Sequence, residues 1–197
     1  MRSSTLRPLL LPAAAAMGLT LLGGLPVLAH GPADAGIGSG FAHPITGLDH
    51  IMLLVAVGAV AACSSRAVLL FAVAGALLGA MAGAFGGGLP ASELLAALAI
   101  SALGLVILSG RRSGPSPRLG LIGTLVAMAV AIHALLHGQE ASGTVSWWLG
   151  AALGSALVVA VSYGALRLAP VRWSMLVAGL LTVAGLVLAI APAITAA

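Results

Sequence analysis

The sequence predicts an all-α polytopic membrane protein, with six transmembrane helices behind a cleaved signal peptide. Three observations carry that expectation. Of 197 residues, 61% are hydrophobic and only 6% charged, with mean hydropathy +1.20, which excludes a water-soluble fold. The apolar residues come in runs close to the roughly 20 needed to cross ~30 Å of hydrocarbon at ~1.5 Å per residue. Those runs are continuous alanine, leucine and valine without the period-2 alternation of a barrel, so helices must satisfy the backbone in lipid.

Residues 1–29 read as the signal peptide. Arg2 and Arg7 precede an apolar stretch from Leu9 to Leu25, and Val27-Leu28-Ala29 places the cut before His30. An uncleaved signal anchor is the alternative. The remaining domain, 30–197, divides into spans at about 44–62, 67–86, 91–109, 119–137, 145–167 and 173–194.

Charges orient those spans. Arg66, Arg111, Arg112, Arg118, Arg167 and Arg172 all fall in alternate loops, on the cytoplasmic side by the positive-inside rule, so both mature termini face outward. Eight arginines and no lysine, dispersed among apolar runs, offer no basic stripe for nucleic acid. His30, Asp34, His43, Asp49, His50, Glu93, His133, His137 and Glu140 occupy the opposite face. That set contains every histidine and every carboxylate in the chain.

Gly75, Gly79 and Gly83, and Gly150 with Gly154, form small-xxx-small faces suited to close helix approach. The single cysteine, Cys63, sits in an apolar run and reads as a small buried hydrophobe. Trp147, Trp148 and Trp173 fall at span ends, as interfacial anchors do.

Two constellations carry chemistry. In His43-Pro44-Ile45-Thr46-Gly47-Leu48-Asp49-His50, Pro44 suits the first turn of a helix. On one continuous helix, seven residues return His50 to the azimuth of His43, with Thr46 between them. Asp49 either ligates an ion directly or accepts a histidine N–H and fixes which nitrogen faces the metal. In His133-Ala134-Leu135-Leu136-His137-Gly138-Gln139-Glu140, the two histidines are i,i+4 neighbours, and Gly138 is expected to end the helix and turn Glu140 back toward them.

Ionisable groups within spans cost about 2.5–3.5 kcal/mol each near the bilayer centre and default to function. Imidazole with carboxylate suits divalent nickel, cobalt, zinc, copper or iron rather than magnesium or calcium. His30, as a mature terminus, either chelates through its amine and ring or is a plain processed end. Glu93 is either part of the ion path or a carboxylate favoured by the helix dipole. The expected metal set is therefore His30, His43, Asp49, His50, Glu93, His133, His137 and Glu140, with no catalytic residue and no permanently bound cofactor.

On these residues the chain resembles the HupE/UreJ family of nickel permeases. The family pattern HxxxxxDH matches His43 to Asp49-His50, and the later HxxxHGxE-like pattern matches His133, His137, Gly138 and Glu140. Pro90, Glu93 and Ser101 look like the family's third-helix pattern, whereas Ile132 departs from an expected phenylalanine. The resemblance implies Ni2+ as the transported substrate, with Co2+ as a second candidate, in a bacterial inner membrane. It also implies supply of nickel to hydrogenase or urease maturation. The rival reading of the HxxxH pair is an intramembrane zinc-dependent hydrolase.

Overall fold

A computed structural model describes residues 36–110, 119–140 and 144–195, without the side chains of residues 110, 140 and 192–195. The expected signal peptide, His30, Asp34, Arg111, Arg112 and Arg118 lie outside the described residues. Those described form helices α1 (Gly36–Thr46), α2 (Leu48–Cys63), α3 (Val68–Ala84), α4 (Ser92–Gly110), α5 (Leu119–Glu140), α6 (Val145–Leu168) and α7 (Val171–Thr195).

The span expected at 44–62 is not one helix. It is the pair α1 and α2, bent by 76° at Gly47. Pro44 sits in the last turn of α1 rather than the first turn of a span, and its missing N–H leaves the Gly40 carbonyl without its helical donor. Gly47, a poor helix former, then takes an extended conformation (φ −78°, ψ 124°) and caps α2.

Four helices, α4 to α7, are long and apolar enough to cross a membrane, and the bent pair makes a fifth. The second expected span, 67–86, is shorter than read. At 17 residues α3 reaches about 25 Å, a few ångströms less than the hydrocarbon core.

Helix α2 is the centre of the bundle and touches all six others. Its Leu53, Ala56, Val57 and Val60 are buried against Ile100 and Leu103 of α4, Val126 of α5, and Ala178 and Leu181 of α7. Around it, α3 packs on α5, α4 on α7, and α1 on α6.

Close approach explains the glycine spacings. Gly75, Gly79 and Gly83 lie against the backbones of Ala127, Ala131 and Leu135, so α3 and α5 run parallel with no room for a Cβ between them. Gly150 and Gly154 likewise admit α1 at Ile37 and Phe41. With little hydrophobic drive between helices in lipid, such contact is a main source of their association.

The outer surface is apolar. Leu70, Leu77 and Leu78 of α3, Leu121 of α5, Leu153 of α6 and Ile190 of α7 are each more than half exposed. In water this would be an aggregating surface, whereas against acyl chains it is the natural exterior. The chain is a multi-pass membrane protein.

Candidate metal centre

The start of α2 meets the C-terminal half of α5, so the two sequence constellations, about 80 residues apart, converge. His43 comes from α1, Asp49 and His50 from the first turn of α2, and His133 and His137 from α5. His50 is the hub. Its ring centroid lies 4.6 Å from that of His43, 4.4 Å from His133 and 4.7 Å from His137.

The His50 nitrogens face different partners. Nδ1 is 2.9 Å from Asp49 Oδ1, and Nε2 is 2.6 Å from His137 Nε2. If Asp49 is ionised it can only accept, so the network assigns the proton of His50 to Nδ1, and His137 Nε2–H donates to His50 Nε2. His133 Nε2 is buried without a hydrogen bond, with Asp49 Oδ2 3.7 Å away. A buried nitrogen in that state is costly in a structural role and suited to a ligand.

Two groups among the described residues could hold a metal ion: His43, His50 and His137, and Asp49, His50 and His133. Within each, one donor atom per residue lies within 4.8 Å of the others. Three protein ligands with a remaining position for water or substrate is a familiar arrangement for divalent metals.

Several sequence expectations change here. His43 and His50 do share a site, but through the bend at Gly47 rather than a common azimuth on one helix. Thr46 does not stand between them. It is exposed, and its hydroxyl donates back to Ala42 O (3.2 Å) and His43 O (3.3 Å). Gly138 does not end α5, which continues to Glu140; Gly138 instead packs against Ala80 of α3. Glu140 is thus the last residue of that helix, at the same end of the bundle as the site.

Glu93 lies exposed in the first turn of α4 and belongs to neither metal group. Gln139 Nε2 donates to Gly87 O (2.9 Å), which ties the loop before α4 to the site end of α5. Ser101, part of the same sequence pattern as Glu93, is a packing residue whose hydroxyl donates to Thr182 O (2.8 Å).

Trp147 was legible only as an interfacial anchor, yet it is buried at 6% exposure with its ring centroid 5.2 Å from that of His43. It walls the centre on the α6 side. Its backbone is held by Thr144, which caps α6, and by Gly40 of α1 packed against its carbonyl. Trp173, by contrast, is 49% exposed, as an interfacial residue should be.

Among the described residues, the arginines occupy the other end. Arg66 follows the C-terminus of α2, Arg172 starts α7, and Arg167 Nη1 donates to Ala62 O at 3.5 Å near the end of α2. Cys63 is at that end too, remote from the histidines.

The family model described as HupE / UreJ protein matches residues 17–194. No curated protein and no solved structure matches the chain.

Proposed function

The chain belongs to the HupE/UreJ family, and from that premise we propose that it is an inner-membrane permease taking up divalent nickel, with cobalt as a second substrate. The observation that carries the reading is the convergence of His43, Asp49, His50, His133 and His137 from three helices at one end of an otherwise apolar bundle. Four imidazoles and a carboxylate suit a borderline divalent ion. A permease site must bind firmly enough to recruit the ion and loosely enough to release it, and sets of three protein ligands meet both needs better than a closed sphere.

In this reading the chain makes six spans, the short α3 among them, with both mature termini in the periplasm and the arginine end in the cytoplasm. The bilayer and the metal ion are its partners, and the ion is cargo rather than a resident cofactor. The nickel goes on to hydrogenase or urease maturation. Family membership weighs against the zinc-hydrolase alternative.

Uptake of radioactive nickel into vesicles containing only this protein tests the proposal, with cobalt and zinc as competitors. Alanine at His50 or His137 is expected to abolish uptake while the protein stays folded. Uptake at the parental rate in both variants would make the site reading wrong.

A further inference from the structure

Asp49 and His137 contact opposite nitrogens of the same His50 ring. The lone pairs of the two imidazole nitrogens diverge, so one ion cannot engage both. An ion bound to His50 therefore belongs either to the His137 side or to the Asp49 side. Two candidate ligand groups share His50: His43, His50 and His137, and Asp49, His50 and His133.

We infer that the centre holds its ion at two successive positions, one on each ring nitrogen of His50, and that transport passes the ion across that imidazole. This deepens the permease reading and rests on it. At the first position His43, His50 Nε2 and His137 are the ligands, and the His50 proton is on Nδ1, where Asp49 accepts it. The two Nε2 atoms, now 2.6 Å apart, would separate to roughly 3 Å around an ion held at about 2.1 Å from each.

At the second position Asp49, His50 Nδ1 and His133 are the ligands, and the His50 proton moves to Nε2, where His137 Nε2 can accept it from its other tautomer. The ion and the ring proton exchange nitrogens, with no net gain or loss of protons. The buried His133 Nε2, which makes no hydrogen bond, gains a partner in this state. Asp49, with its side chain 48% exposed, has room to turn from hydrogen-bond acceptor to ligand.

The α5 pair supports two positions rather than one smeared site. His133 is one helical turn, about 6 Å, further from the end of α5 than His137. The two histidines therefore offer donors at successive depths.

The experiment uses the purified full chain with Ni2+ titrated by calorimetry, Cu2+ as a paramagnetic reporter of bound nitrogen, and nickel flux in vesicles. Variants are His43→Ala and His133→Ala, with His43→Gln and His133→Gln as conservative partners, each checked for a monodisperse folded state. Each variant is expected to keep one bound ion, on the residues of the other position, while flux falls at least tenfold. The Cu2+ spectra of the two variants should differ, with the carboxylate position retained only when His43 is replaced.

Loss of all binding in the folded His43 and His133 variants would overturn the proposal in favour of one composite site. Parental flux in either would overturn it by removing that position from the path. Absence of nickel flux in the parental vesicles would overturn the permease reading and this proposal together, and is distinguished by its independence of any substitution.

Discussion

At the scale of single residues, the centre depends on which atoms an imidazole can offer. Only neutral imidazole gives a metal its lone pair. Trp147 makes a residue-level prediction. Its ring packs on His43, so Trp147→Ala should weaken nickel binding several-fold while Trp147→Phe retains most of it. Bound paramagnetic nickel should also quench the indole fluorescence of the parental protein more than zinc does. Met128, 56% exposed on α5, serves as the neutral control, because Met52 is buried in the core and its truncation leaves a cavity.

Among the helices, the break at Gly47 and the glycine face of α3 decide where the ligands stand. A Cβ on Gly47 would run into Nδ1 of His50, the atom that meets Asp49. Gly47→Ala is therefore expected to lower nickel affinity about tenfold without unfolding the bundle, read by calorimetry against a thermal melt. Unchanged affinity would mean that the Asp49 contact does not orient His50. Gly79→Leu acts differently. Its side chain would meet the backbone of Ala131, which a rotamer change cannot relieve. Overpacking of this kind typically costs about 1–3 kcal/mol, and here it pushes away the helix that carries His133 and His137. A lowered melting temperature together with lost uptake is the expected result.

Taken whole, the described residues separate their charges by end: His43, Asp49, His50, Glu93, His133 and His137 at one, Arg66, Arg167 and Arg172 at the other. If the arginine end is cytoplasmic, a phosphatase fused after the C-terminus is active and a fluorescent protein there is dark. The opposite pattern would invert the orientation and turn uptake into export.

The membrane class, the all-helical fold and the pairing of histidines at ligand spacing were legible in the sequence. Run length, lack of alternation and i,i+4 separation are local properties that lipid and helix geometry convert directly into structure. The path from His43 to His50 was not legible, because a straight helix was the premise. Pro44 and Gly47 break it, and a 76° bend changes every azimuth counted across it. Gly138 looked like a helix terminator, yet α3 uses the space it leaves. Trp147 looked like an interfacial residue, yet α1 covers it. In each case a glycine or a tryptophan has several local uses, and the neighbouring helix selects among them. What the sequence by itself offered was a set of candidate ligands wider than the five that come together, and the end of the bundle at which those five stand. Only the tertiary structure decided which of them share an ion and which nitrogen of His50 each one faces, because those relations are distances between helices that no spacing along the chain encodes.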